Sequence, residues 1–226
     1  NGNNAGGDDD VVVNSTITSD QGVDIDASQD IQINATVSAG FDIAMNAGRD
    51  LIANALIQST GGPLGIILNA DDDSGTSDGS GGLRVTTAGQ INGAGDVALR
   101  GADLFVTGGT FDAVEIQDDG ANAQVLAAEE ITIERQTSDT NNSSVIINGL
   151  VQTTGAAENI FVQANGDVTL GANGDLLGGA QVQIRGDADS DGTGGVTMAD
   201  GALAQASTGE VFVFASEDIL LGSVDA

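Results

Sequence analysis

At 226 residues the chain is long enough for one substantial core, and 40% of it is hydrophobic, yet Trp and Tyr are absent and only six Phe occur. Many small aliphatic side chains must therefore be buried without large wedges between them, which a narrow, layered core allows. Thirty-four acidic residues face five basic ones, all Arg (Arg49, Arg84, Arg100, Arg135 and Arg185), for a net charge of -29 with no Lys or His. That balance argues against nucleic-acid binding through phosphate neutralisation and against attraction to an anionic membrane.

Gly stands at 34 and Pro at 1, so Gly, Asn and Asp, which accept positive φ, must supply many tight turns. The absence of Cys removes disulfides and thiolate metal sites, in keeping with an extracellular protein that needs no redox chemistry. No apolar stretch approaches the roughly 20 residues that span a bilayer, so no membrane insertion is expected. The chain opens at Asn1 without Met or a signal peptide and is read as a mature or excised piece.

Along the chain, short runs alternate apolar and polar residues. Val11-Val13 comes first, then an isolated Ile17, then Val23-Ile25 ending on Ala27. Ile31-Ile33, Val37 and Phe41-Ile43-Met45 follow, then Leu51 and Ile57. After an acidic stretch come Leu83-Val85, Ile91 and Val97-Leu99, and then Ile131-Ile133. Val145-Ile147, Val151 and Ile160-Val162-Ala164 come next, followed by Val168-Leu170 and Val182-Ile184. Val196-Met198, Leu203 and Val211-Val213-Ala215 close the series. This is strand periodicity with alternate side chains buried. Ile31 to Leu51 and Val37 to Ile57 span 20 residues and Val23 to Phe41 spans 18. About 20 residues hold three short strands and three turns, one coil of a parallel β-helix.

A module of apolar-x-apolar, one isolated apolar residue, then a second apolar-x-apolar recurs from Val11, Leu83, Val145 and Val196, each time behind an acidic or Asn-rich loop. Runs such as GVDIDASQDIQINATVSAGFDIAMNAGRDL and GDVTLGANGDLLGGAQVQIRGDADSDGTGGVTMADGA resemble the repeat regions of filamentous-haemagglutinin-like exoproteins and giant bacterial surface adhesins. The resemblance covers nearly the whole chain. It implies an all-β fold, a right-handed parallel β-helix (β-solenoid) with acidic loop insertions, exported to the extracellular space or cell surface. One domain is expected over residues 1–226, read as one unit of a longer tandem array or head-to-tail filament.

The loops hold the candidate metal ligands. In GDADSDGTGG, Asp187, Asp189 and Asp191 alternate ahead of Gly192, pointing carboxylates at one centre, which suits the six to eight oxygen ligands of Ca²⁺. The Glu of an EF-hand loop is missing, so backbone carbonyls, water or a neighbouring coil must complete the set. A solvated acidic turn is the plainer alternative. NADDDSGTSDGSGG repeats the pattern with Asp71, Asp73 and Asp78 before Gly81-Gly82. TSDTNNSSV, with Asp139 and Asn141, is poorer in charge and reads as a turn. Joining Ala226 to Asn1 aligns Asp225, Asn1 and Asn3 with the first set, a cation loop across a joint between copies.

Sequons at Asn14, Asn34 and Asn141 are what chance supplies in a chain this rich in Asn, Ser and Thr. Phe161, Phe212 and Phe214 are expected to stack in the core or pack on its outside rather than bind sugar.

An enzyme is not expected. Polysaccharide-degrading β-helix enzymes, the remote alternative, need Asp clustered with Lys, Arg or His, and among 34 acidic residues carboxylate pairs arise by chance. Two readings remain. One is a structural or adhesive rod forming a fibre or surface filament from copies stacked end to end, with Ca²⁺ in its Asp-rich loops. The other is an adhesin module that binds a carbohydrate or cell-surface ligand.

Overall fold

The computed structural model describes residues 9–62, 65–71, 81–102, 112–117, 124–135 and 142–226. Every regular element among them is a strand, and no helix is long and apolar enough to cross a membrane. The strands form three parallel sheets of nine, nine and eight, here sheets A, B and C. The chain visits them in turn, A then B then C, and each strand pairs in parallel with the strand three positions later. This is the expected right-handed parallel β-helix, each coil adding one rung to every sheet.

Each of the four module copies is one such coil. Leu83–Val85 lies in sheet A, Gln90–Gly93 in sheet B and Val97–Gly101 in sheet C. The first rungs keep the 20-residue period, since Asn14, Asn34 and Asn54 bond in sequence at separations of 20. Later rungs are longer, with equivalent residues 32 apart at Asp50 and Gly82 and 28 apart at Asp167 and Gly195. The extra residues lie between strands, and the pairing in sheet A shifts register once, between Asp112 and Val114.

Two spacings need correction. Val23 pairs with Ile43, not Phe41; Phe41 sits on the corner before the Ile43–Ala47 strand, 48% exposed. Alternation does not carry through a corner, so a residue of the right parity ends outside the strand. In the last module Ala204, not Leu203, continues the inward ladder, and Leu203 lies outside the buried set. Size misleads there, because the narrow interior takes Ala.

The core is a set of ladders. Along sheet C the inward series runs Ile25, Met45, Leu68, Leu99, Ile133, Val162, Ile184 and Val213 in register. Sheet A contributes Ile31, Leu51, Leu83, Val114, Val145, Val168 and Val196. β-Branched residues dominate because a branched side chain packs well on a pleated surface. Small residues mark the ends of strands, with Ala39, Ala127 and Ala206 closing sheet B strands, which lets the corners stay tight.

A second regularity runs along the corners. Asp10, Asp30 and Asp50 each precede a sheet A strand, and each accepts a hydrogen bond from the backbone N–H of the equivalent residue one rung on, Asp30, Asp50 and Gly82, at 3.2, 3.2 and 3.0 Å. Asp167 accepts from Gly195 N at 2.7 Å in the same way. Asp42 and Asp96 do so ahead of sheet C strands, toward Gly65 and Glu130 at 3.1 and 3.0 Å. A carboxylate accepting an N–H that the corner leaves outside the ladder makes a strong, charge-assisted bond. Part of the acidity is therefore structural.

The Asn side chains form parallel outer ladders. Asn54 donates to Asn34 at 2.8 Å and Asn34 to Asn14 at 2.9 Å, while Asn69 donates to Asn46 and Asn46 to Asp26, both at 2.8 Å. The amide of Asn34, the centre of one sequon, is thus engaged with both neighbouring rungs. Arg49, Arg84 and Arg100 pair with Asp30, Glu115 and Glu134 on adjacent rungs at 2.5–2.6 Å. Such partly exposed pairs contribute about 0–1 kcal/mol each.

Candidate functional site

The Asp187 turn leaves the Gln181–Arg185 strand of sheet C and returns to the Val196–Met198 strand of sheet A. Asp187 and Ser190 have left-handed backbones, with φ of 56° and 64°, and Gly192 follows at 95°. This alternation of handedness curls ten residues into a compact knot. A side chain on Gly194, at φ 136°, would bring its Cβ to 2.5 Å from the Asp187 nitrogen, so that glycine is required for the turn to close.

One carboxylate oxygen from each of Asp187, Asp189 and Asp191 lies within 4.8 Å of the others, as the alternation predicts. Their surroundings differ. Asp187 is 5% exposed, while Asp189 and Asp191 are exposed. Both oxygens of Asp187 are engaged, Oδ1 by the Gly192 N–H at 3.3 Å and Oδ2 by the Ser216 hydroxyl on the next rung. The Ser216 hydrogen bond holds the Asp187 carboxyl below its ordinary value of 3.8; burial opposes this, and the Gly192 N–H adds to it. Asp191 accepts from the Thr193 N–H at 2.8 Å and its hydroxyl at 2.6 Å. The turn is thus organised by its own donors, with the outer faces of Asp189 and Asp191 turned to solvent.

A carboxyl held below its ordinary value stabilises the fold above the unfolded-state pKa, and the contribution is lost as pH falls through the folded one. For Asp187 that loss lies below about pH 4. Thermal melts should therefore show Asp187→Asn destabilised by a constant amount above about pH 5, with the gap closing toward pH 3. A gap independent of pH would show that the ionised carboxylate is not what the turn uses.

The described ends of the Asp71 turn match those of the Asp187 turn. Asp71 follows the Ile66–Asn69 strand by two residues, as Asp187 follows Gln181–Arg185, and is likewise buried and left-handed, with φ of 59°. The turn ends on Gly81-Gly82 where the other ends on Gly194-Gly195, and Gly81, at φ 148°, matches Gly194. In both, the second glycine donates its N–H to the corner aspartate of the preceding rung, Asp50 or Asp167. Asp73 and Asp78 lie outside the described residues, as do Asp139 and Asn141.

Asp225 is placed differently. It belongs to a sheet B strand, Ser223–Asp225, opposite Gln205, whose amide donates to it at 2.8 Å. Asp187 instead follows a sheet C strand, so the alignment of Asp225 with Asp187 joins residues from different sheets. Asn1 and Asn3 lie outside the described residues.

The alternating aspartates were visible in the sequence; the corner aspartates were overlooked. Their signal was an Asp directly before an apolar strand residue, as in Asp30-Ile31, Asp50-Leu51, Asp96-Val97 and Asp167-Val168. Asp218-Ile219 repeats it ahead of the last sheet A strand.

No family model matches the chain, and neither the curated proteins nor the solved structures contain a match to it.

Proposed function

We propose that the chain is a structural rod segment of an extracellular or cell-surface fibre, related in build to haemagglutinin-like adhesin shafts, and that copies stack end to end. The observation behind this reading is where apolar surface lies. Six of the seven large hydrophobic residues that are exposed among the described ones sit on or beside the terminal rungs: Val12 at one end, and Phe214, Ile219, Leu220, Leu221 and Val224 at the other. A further rung at either end, from more of the chain or from a second copy, would bury them.

The two ends also match in register. Ile219 and Val224 extend the inward ladders of Val196 and Ala204, and the same ladders begin at Val11 and Ile17. A second copy set on the first places Val11 over Ile219, Ile17 over Val224 and exposed Val12 over exposed Leu220. Asp218 occupies the corner from which Asp30 and Asp50 receive an N–H of the next rung, and the Asp10 N–H of a second copy takes that place. Open strand edges favour pairing, and solenoids either cover or use them.

The net charge of -29 opposes contact between copies, so cations belong in this reading. Asp187, Asp189 and Asp191 offer three oxygens close enough for one Ca²⁺, with water or backbone carbonyls completing the shell. Pelleting assays with calcium, with sodium chloride and after chelation test this. Calcium should drive assembly at concentrations where sodium does not, and chelation should reverse it. Asp189→Ala/Asp191→Ala should lose the calcium response while still assembling in high salt. Equal responses to calcium and sodium would remove the specific site and leave charge screening alone.

A further inference from the structure

Arg185 differs from the cations paired along the rod. Arg49, Arg84 and Arg100 each meet a carboxylate on a neighbouring rung, whereas Arg185 forms no ion pair among the described residues. Its contacts are long and neutral, Nη2 to the Asp187 carbonyl at 3.5 Å and to the Ser190 hydroxyl at 3.3 Å. The carboxylate nearest in sequence, Asp187, is already committed to Gly192 and Ser216. In a chain with 34 acidic residues and five basic ones, an Arg that meets no carboxylate among the described residues is conspicuous.

Arg185 lines an open groove with Gln183, Asp187, Ser190, Phe214 and Ser216, and the Asp187 carboxylate there is turned to its own donors, Gly192 and Ser216. Phe214 lies opposite Arg185 on the adjacent rung, 49% exposed. Phe212 stands behind it with its ring parallel, centroids 6.2 Å apart and planes 7° apart, which fixes the orientation of the outer ring. The groove thus combines a rigid aromatic face, a guanidinium with no ion pair among the described residues, and amide and hydroxyl groups around the rim.

We infer that this groove binds an acidic sugar unit of a polysaccharide, with the sugar ring against Phe214 and its carboxylate on Arg185. An apolar C–H face meets the aromatic ring, the guanidinium supplies the paired donors a carboxylate takes, and Gln183, Ser190 and Ser216 meet ring hydroxyls. The single cation selects a ligand with one spaced carboxylate per sugar; a densely charged polyanion would meet the field of the whole rod. This site lies on the outer face of the last two described sheet C rungs, and buffer with chelator keeps it free of the stacking proposed above.

The test titrates the full chain, in buffer containing chelator, with an oligogalacturonate and with the same oligosaccharide after reduction of its carboxyls to alcohols. Backbone amide shifts locate binding and calorimetry measures it. The acidic oligosaccharide should shift amides within 183–192 and 212–216 and bind about tenfold more tightly than the neutral one. Arg185→Gln should erase that preference, Arg185→Lys should retain part of it, and Phe214→Ala should weaken both ligands. Equal affinity for the two oligosaccharides, an unchanged preference in Arg185→Gln, or no binding would overturn the assignment. Stronger binding of a peptide with a free terminal carboxylate than of the acidic sugar would overturn it too.

Discussion

Replacing Leu99 by Asp should lower the melting midpoint by at least about 10 °C, whereas Ala98→Asp, one residue away, should move it by no more than about 2 °C. Leu99 is fully buried in the sheet C ladder between Leu68 and Ile133, all at 0% exposure, and no partner for a carboxylate stands among those neighbours. Truncation to Ala alone should cost about 2–5 kcal/mol in a core this closely packed, and an unpaired charge adds the cost of its desolvation. Ala98 lies on the opposite face of the same strand, outside the core, beside Ile67 and Thr132. A chemical change of the same kind at adjacent positions thus separates the ladder from the outer surface. Similar losses at both positions would contradict the alternation on which the solenoid rests. Because each rung contacts mainly its neighbours, the damage should show first around the fourth and fifth rungs, as enhanced amide exchange there.

The second large effect concerns assembly. Ile219→Glu combined with Val224→Glu should leave the fold intact and abolish fibre formation, so that a 22.4 kDa monomer persists in calcium and in high salt. Both residues continue inward ladders but are 45% and 42% exposed because no rung follows them among the described residues. In a stacked pair they become core, and two carboxylates there face Val11 and Ile17 of the next copy with no partner. In the free chain the same substitutions sit in solvent and cost little. Fibres that form as readily with this double variant as without it would show that the ends are not the contact.

How much of this was legible in the sequence follows from which interactions are periodic. Alternation of Val, Ile and Leu with polar residues located most strands, because burial of every second side chain is a local requirement of a pleated sheet, but Ile66–Asn69, Asp112–Ile116, Gln124–Ala127 and Asp175–Gly178 were passed over. The pairing of strands about 20 residues apart was equally readable in the first coils, where no insertion interrupts the period. Failures came where the chain bends. Phe41 has the parity of a strand residue but lies on a corner, and Leu203 is larger than Ala204 yet does not fill the core position. Both follow from the tight geometry of the corners and interior, which rewards small residues and resets alternation.

The acidic residues were only partly legible. The Asp187 and Asp71 turns share left-handed starts and Gly-Gly ends, and alternating Asp with glycine announced both. Asp30, Asp50, Asp96 and Asp167 carried only the step from Asp to an apolar strand residue, which does not point to a partner. Each becomes meaningful only once the strand that follows it is stacked beneath the next, because its partner is an N–H a full coil away. The same limit hid the sheet to which Asp225 belongs, since which sheet a strand joins is decided by counting coils from a fixed register.

Electron cryo-microscopy of the assembled material tests the central claim most directly. Nine rungs in sheets A and B at about 4.8 Å per rung predict fibres one solenoid wide with an axial repeat of about 43 Å and parallel rungs of those two sheets continuing through each joint. Particles that remain single under assembling conditions, or that associate side by side with no repeat near that length, would contradict the end-to-end rod.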